Sequence, residues 1–248
     1  MKKLAVFLGA VGMLAVAPLA HADFTISYQV VGFGGPTPCS PPSPDTLTTC
    51  APNPIVSGPV TISTLSGHSN SPGGSPFPNA NQAGSTVDVI STAPNTTVKL
   101  WFSAPNFSFP TIPPATSINW TASVQFTSIV GSGTLDNANC VDTNNGNTPP
   151  GVYCSSPASP GILNNDTISW TGATTPPTDT VHSSPPITTL GTGYALQEMV
   201  TLVFTTPGEV NFVTSQVLTP VPEPMSIALL GAVLLLTSRS ILRKRKQA

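Results

Sequence analysis

Strict alternation of apolar and polar residues is the feature that most constrains the fold of this chain. Between Ile118 and Thr127, apolar side chains occupy every second position of the sequence INWTASVQFT. Successive side chains of a β-strand point to opposite faces, so this pattern predicts a strand with one buried and one solvated face. The same period recurs at 24–30 and 194–204, although Glu198 interrupts the apolar face of the later segment.

Further strands and turns complete the predicted fold. Thr206-Pro207-Gly208-Glu209 fits a type I or type II turn, which predicts a hairpin joining about 195–205 to 209–218. Weaker alternation predicts strands at 55–65, 85–91, 96–103 and 167–171. No helical period occurs between the two ends of the chain. About eight short strands separated by turns rich in Pro, Gly and Asn predict an all-β fold, an antiparallel β-sandwich.

The four cysteines form two pairs that are close in sequence. Cys39 and Cys50 bracket one polar segment, and Cys140 and Cys154 bracket another. In an exported chain, an even number of cysteines at short spacing predicts two disulfides, although nested pairing also fits the spacing. A zinc site is the sharper alternative, but neither spacing is typical of zinc ligands and no histidine is adjacent. We therefore expect disulfides and no metal at these residues.

The segment from Asp136 to Asn147 is dense in Asp and Asn. Its carboxylate and amide oxygens are of the kind that bind calcium. Asn, Asp and Gly also form turns readily, and the segment neither matches an EF-hand loop nor ends in a bidentate glutamate. A turn-rich loop is the preferred interpretation.

The central part of the chain carries almost no positive charge. Between Asp23 and Thr219 there is one basic residue, Lys99, against nine acidic ones, a net charge of −8. Such a surface would repel phosphate backbones, so nucleic acid is excluded as an expected partner. Low charge with many Ser, Thr, Asn, Pro and Gly residues is typical of an extracellular β-rich domain or of a disordered stalk, and the alternation favours the folded domain.

No residue pattern predicts catalysis. His68 and His182 lie among turn residues, and Gly131-Ser132-Gly133 is not a nucleophile elbow. A glycosidase needs two placed carboxylates, a condition that sequence alone does not exclude. Glu198 is the most noticeable acid, and we interpret it as a sheet-edge charge that discourages aggregation. The sequence thus predicts no catalytic residue, no enzyme activity and no cofactor.

The densest aromatic cluster is WFSAPNFSF, at 101–109. Aromatic rings exposed on loops can stack on the faces of sugars, which makes Trp101 a candidate glycan contact. The preferred alternative is core packing at the end of a strand.

Residues 1–22 have the layout of a secretory signal peptide. Two lysines precede an apolar stretch, and Ala20-His21-Ala22 is a small-x-small cleavage pattern directly before Asp23. We expect signal peptidase to cleave there, and a short membrane anchor is the alternative. The chain from Asp23 onward is therefore expected to lie outside the cytoplasm.

The C-terminal segment, 220–248, combines a Pro-Glu-Pro triplet, a short apolar run and a basic cluster. Met225 to Ser238 carries no charge and would span about 21 Å as a helix. Extension to Leu242 gives about 27 Å, close to the ~30 Å hydrocarbon core, and predicts a transmembrane helix over about 225–242. The basic residues expected to hold the C-terminus on the cytoplasmic side are Arg239, Arg243, Lys244, Arg245 and Lys246.

The order of these three features resembles the PEP-CTERM sorting signal of Gram-negative bacteria. The motif residues are Val221, Pro222, Glu223 and Pro224, and the resemblance covers about the last 28 residues. It implies that a membrane-embedded cysteine transpeptidase, the exosortase, recognises the tail and removes it near the triplet. The same tail is also labelled an ice-binding protein C-terminal domain.

Three segments follow: a signal peptide at 1–22, an extracytoplasmic β-sandwich at 23–219 and a sorting signal at 220–248. We expect export across the inner membrane, anchoring before processing, and release to the cell surface or the medium. The resemblance implies a structural role in an exopolysaccharide or biofilm context. The alternatives are a lectin-like carbohydrate-binding module and, third, a polysaccharide-active enzyme. The expected partners are signal peptidase, an exosortase-type transpeptidase, the membrane and exopolysaccharide.

Overall fold

The chain folds into antiparallel β-strands. The computed structural model describes residues 24–39, 47–50, 53–71, 79–113, 115–145, 153–164, 167–172 and 180–221. The strands in these ranges are β1 (Thr25–Val30), β2 (Thr37–Pro38), β3 (Leu47–Thr49), β4 (Ile55–Ser57), β5 (Val60–Ser69), β6 (Ala80–Ser91), β7 (Thr96–Phe107), β8 (Ser117–Val130), β9 (Gly133–Asp142), β10 (Pro157–Asn164), β11 (Ile168–Trp170), β12 (Thr180–Ser183), β13 (Tyr194–Phe204) and β14 (Gly208–Val221). None of the residues described is helical, so no helix among them could cross a membrane.

The strands form two sheets of seven. The first sheet has the order β10-β9-β13-β7-β1-β2, and β11 also pairs with β9. The second sheet has the order β12-β8-β14-β6-β5-β3, and β4 also pairs with β5. Every pairing is antiparallel.

The two sheets bury one continuous hydrophobic core between them. Along β13 the even-numbered residues from Tyr194 to Phe204 face this core, and along β14 the even-numbered residues from Val210 to Leu218 face it from the other sheet. The largest fully buried side chains include Trp120, Phe102 and Phe212. The predicted all-β sandwich is thus confirmed. The described residues contain more strands than the predicted eight because five of them are only two to four residues long.

One predicted strand is divided by a turn. The segment 55–65 forms β4 and the start of β5, which pair with each other through Ser57 and Val60. Gly58 sits in the tight turn with a positive φ of 57°, a conformation that residues with a Cβ rarely adopt. The aromatic ring of Phe33 also occupies the space that a side chain at Gly58 would need.

The predicted hairpin between 195–205 and 209–218 is wrong, although both strands exist. β13 pairs with β7 and β9 in the first sheet, whereas β14 pairs with β6 and β8 in the second. The connection therefore crosses from one sheet to the other. Its backbone amides at Thr205 and Thr206 donate to the carbonyl of Ser132, in the neighbouring crossover from β8 to β9.

The two crossovers, from β8 to β9 and from β13 to β14, pack closely against each other. Gly131 has a φ of 83°, and a Cβ on it would lie 2.5 Å from the carbonyl oxygen of Pro207. A Cβ on Gly208 would overlap the carbonyl oxygen of Val130. The glycines that suggest a tight turn in the sequence instead allow two backbones to touch.

The prediction of a turn-rich loop at 136–147 is also wrong for most of that segment. Residues 133–142 form β9, which pairs with β13 on one side and with β10 and β11 on the other. Asn137 and Asn139 face the core, whereas Asp136 points away from it and is exposed. Four of the segment's Asp and Asn residues therefore lie on the two faces of one strand, and the others follow it. The signal peptide, the Pro-Glu-Pro triplet, the transmembrane helix and the basic cluster lie outside the described residues.

Candidate functional site

Six polar side chains lie together in the middle of the hydrophobic core, each at most 1% exposed. We call this group the polar layer, and its members are Gln82, Asn137, Asn139, Glu198, Thr214 and Gln216. Glu198 is the one acidic residue among them. Sequence analysis singled out Glu198 and the Asn-rich segment separately but did not bring them together.

The first sheet contributes three of the six. On the central strand β13, Glu198 lies opposite Phe102 of β7 and Asn139 of β9. Asn137 lies opposite Val200, one inward-facing position further along. Because β13 has a partner strand on each side, the interpretation of Glu198 as a sheet-edge charge is wrong.

The second sheet contributes the other three. Gln216 of β14 lies opposite Gln82 of β6, and Thr214 lies opposite Gly84. A Cβ on Gly84 would be 2.8 Å from Thr214 Oγ1 and 3.3 Å from the ring of Phe102. Phe102 is the cross-strand neighbour of Glu198. Thr214 therefore faces the part of the first sheet that contains Glu198.

Two amide groups connect the sheets at the level of Glu198. Gln82 Nε2 donates to the carbonyl oxygen of Phe102 at 3.3 Å, and Gln216 Nε2 donates to that of Gln197 at 3.0 Å. Phe102 lies opposite Glu198 on the neighbouring strand, and Gln197 directly precedes Glu198 in the chain. Both glutamine side chains consequently reach the backbone of the first sheet beside the position of Glu198.

Most polar atoms of the layer have no hydrogen-bond partner. These atoms are both carboxylate oxygens of Glu198, the amide oxygens of Gln82, Gln216, Asn137 and Asn139, the hydroxyl of Thr214, and the amide nitrogens of the two asparagines. Leaving a buried polar group without a partner costs about 1–3 kcal/mol, and more for a charged group. Natural proteins contain few such atoms, so this concentration requires an explanation.

Burial raises the pKa of Glu198 from its ordinary value of 4.5 to about 7. The cause is loss of hydration, which disfavours the charged carboxylate. Thr214 and Asn137 are near enough to oppose the shift, but neither completes a well-aligned hydrogen bond to the carboxylate. The carboxyl group therefore ionises less readily than an ordinary glutamate when nothing else binds it.

Asp142 is a second fully buried acid, and it shows the contrasting situation. Its carboxylate accepts hydrogen bonds from the backbone amides of Asn144 and Ser155 at 2.9 Å each. It also accepts bonds from the Ser155 hydroxyl and from Gln197 Nε2. Asp142 thus fastens the segment after β9 to the outer side of the first sheet.

Both predicted disulfides are present, Cys39–Cys50 and Cys140–Cys154, and no described cysteine is free. Cys39 donates its amide to Ile26 in the first sheet, and Cys50 donates its amide to Leu65 in the second. The first disulfide therefore links the two sheets. Disulfides persist in oxidising compartments, so the pair indicates an extracytoplasmic location.

The structure buries the candidate glycan contact. Trp101 is 7% exposed, a placement that favours packing over contact with a sugar. Among the described residues the one exposed aromatic side chain is Phe33, which is 56% exposed.

Glu198 and Asp142 are both fully buried, so neither can reach a polymer from its present position. No group of three or more His, Cys, Asp or Glu side chains within the described ranges is arranged to hold a metal.

No protein-family model matches the chain. No curated protein matches it either.

Several solved structures are similar to parts of it. The enzymatically active domain of tailspike protein 4 from bacteriophage CBA120 is 9% identical over 77% of this chain and 19% of that one, with a TM-score of 0.28. TmCBM61, solved in complex with β-1,4-galactotriose, is 8% identical over 68% and 85%, with a TM-score of 0.27. The adhesin domain of Epf from Streptococcus pyogenes is 11% identical over 81% and 60%, with a TM-score of 0.37. The chain spans less than two thirds of the tailspike and adhesin structures, and no activity or ligand is transferred from any of the three.

Proposed function

We propose that this is an exported surface or extracellular-matrix protein, sorted by a PEP-CTERM and exosortase type of system. Its role is structural and non-catalytic, in an exopolysaccharide or biofilm context. The observation that carries the proposal is the direct connection between the last strand and the tail. β14 ends at Val221, and Pro222-Glu223-Pro224 follow immediately. Removing the tail near the triplet would leave every described strand intact.

The end of β14 is firmly held. Pro220 and Val221 pair with the beginning of β8, and the amide and hydroxyl of Thr116 both donate to the carbonyl oxygen of Val221. The first motif residue therefore belongs to the sandwich rather than to a spacer. The two disulfides support export, since they stabilise a domain that folds outside the cytoplasm.

Intact-mass measurement of the protein from the surface and medium of its native host tests the proposal. We expect a chain that begins at Asp23 and ends near Pro224. A variant with Pro222→Ala, Glu223→Ala and Pro224→Ala should begin at the same residue but keep its C-terminal tail. Wild-type protein that retains Ala248 would mean an ordinary membrane anchor and would contradict sorting by tail removal.

Carbohydrate binding is the second candidate function, and the exposure of Phe33 favours it. Its ring lies against the turn at Gly58 and offers an apolar surface to solvent. Phe33→Ala should weaken binding to host matrix polysaccharide about tenfold, which is about 1.4 kcal/mol. Val130→Ala, a change at an exposed apolar residue elsewhere, should leave binding unchanged. If both variants bind the polysaccharide as tightly as the wild type, or if the wild type does not bind it, this surface is not a sugar site.

A further inference from the structure

We infer that the polar layer binds a hard metal cation of the calcium type between the two sheets. Seven oxygen atoms that lack hydrogen-bond partners would provide the ligands. They are Glu198 Oε1 and Oε2, Gln82 Oε1, Gln216 Oε1, Asn137 Oδ1, Asn139 Oδ1 and Thr214 Oγ1. Each is buried, and the residues that carry them occupy neighbouring positions on facing strands.

Among the residues that the structure describes, the one Lys or Arg is Lys99, and it does not face Glu198. Lys99 is the one Lys or Arg between Leu4 and Ser238. Phe102 neighbours Glu198 on the core side of β7. Successive residues of a strand face opposite sides, so Lys99 points away from that side. The positive charge that a buried carboxylate requires must therefore come from a proton or from a bound cation.

The balance of donors and acceptors also favours a cation. Besides the seven oxygens, the unpartnered atoms of the layer include only two nitrogens, the amide groups of Asn137 and Asn139. Gln82 and Gln216 already use their nitrogens to bond the opposite sheet, so their oxygens remain available. The Thr214 hydroxyl and the two amide groups can donate hydrogen bonds to some of these oxygens, whereas a single cation accepts electron pairs from several of them at once.

The ligand chemistry selects calcium over other common metals. Calcium takes six to eight oxygen ligands in flexible geometry, including carboxylates and the carbonyl oxygens of Asn and Gln. Magnesium requires a strict octahedron and retains water, and zinc prefers thiolates and imidazoles. The layer contains neither Cys nor His. The first sheet would supply four of the seven oxygens and the second sheet three, so the ion would fasten the sandwich at its centre.

Thermal unfolding of the folded protein after treatment with a chelator tests the inference. Added CaCl2 should raise the unfolding midpoint by several degrees and saturate, because a ligand that binds only the folded state stabilises it. Magnesium chloride, sodium chloride and choline chloride at equal ionic strength should raise it much less. Untreated protein after desalting should contain about one calcium per chain. An effect of CaCl2 no greater than that of choline chloride would overturn the inference, and a response to sodium alone would overturn the assignment of calcium.

Variants of buried and exposed acids locate the site. Glu198→Gln keeps the shape of the side chain but removes the charge, and it should abolish the calcium-dependent rise. Asp142→Asn and Asp136→Asn change acids of the Asp- and Asn-rich segment outside the polar layer, and both should retain the rise. Gln216→Leu, in the second sheet, should reduce it. A rise that survives Glu198→Gln but disappears in Asp142→Asn would place calcium near the segment after β9 and overturn the core site.

Discussion

In the presence of a chelator, raising the pH from 5 to 8 is expected to lower the free energy of unfolding by about 3 kcal/mol. Burial raises the pKa of Glu198 from 4.5 to about 7 in the folded chain, and each unit of difference between folded and unfolded pKa corresponds to about 1.4 kcal/mol. The folded state holds the proton more tightly than the unfolded state. Stability is therefore greatest below about pH 4.5, falls between about 4.5 and 7, and changes little above that range.

Denaturant unfolding at a series of pH values measures this dependence. Tyr153 interacts electrostatically with Glu198, but burial raises its pKa far above this range, as it does for Tyr194. Both therefore stay neutral between pH 5 and 8. Neither tyrosine therefore contributes to the fall in stability over this range.

Two variants separate Glu198 from other acids. Glu198→Gln should remove most of the fall and should be more stable than the wild type at pH 8 when calcium is absent. Asp88 also has a raised pKa because of partial burial, so it contributes with the same sign. Asp88→Asn should nevertheless retain most of the pH dependence, since Asp88 is less buried and bonds Ser63. An unchanged slope in Glu198→Gln would contradict the prediction.

The polar layer also explains which strands could be predicted from the sequence. β8 has apolar residues at its inward positions from Ile118 to Phe126, so its period is visible. β9 places Leu135, Asn137, Asn139 and Val141 on its inward face. When half of the buried face is amide, the alternation of hydrophobicity disappears and the segment resembles a loop. The partners that make such burial tolerable lie on the opposite sheet, far away in sequence.

The crossover between β13 and β14 could not be predicted from local sequence for a different reason. Pro207 and Gly208 favour a change of chain direction, but the same residues suit a hairpin within one sheet and a connection between two sheets. The choice depends on strands distant in sequence: β7 and β9 occupy both edges of β13, while β6 and β8 occupy both edges of β14. The interpretation of Glu198 as a sheet-edge charge is wrong for a related reason, since sequence does not reveal which strands lie at an edge.

The disulfide pairs were predictable because each joins cysteines that are near in sequence, at separations of 11 and 14 residues. Their structural roles were not. Cys39 follows β2 and Cys50 follows β3, and these strands lie at the edges of different sheets. Cys140 instead joins β9 to the segment that precedes β10 on the outside of the first sheet.

Replacing either cysteine pair with alanine is expected to lower the free energy of unfolding by about 3 kcal/mol, because each disulfide restricts a loop of roughly 12–15 residues in the unfolded chain. Replacing both pairs should cost about 6 kcal/mol, which is comparable to the total stability of many domains. A large fraction of the variant without disulfides should therefore be unfolded at 37 °C. Denaturant titration of the two double variants and the quadruple variant measures these losses.

Hydrogen exchange distinguishes the two disulfides. Without Cys39–Cys50 the sheets lose their covalent link at one edge, so backbone amides of β3 and β5 should exchange faster. Without Cys140–Cys154 the faster exchange should instead appear in the segment that Asp142 and Gln197 hold by hydrogen bonds to Ser155 and Cys154. Identical exchange patterns in the two variants would contradict these separate roles. Cys39–Cys50 joins edge strands, whereas the polar layer lies on central strands, so losses of stability from these two should add in combined variants.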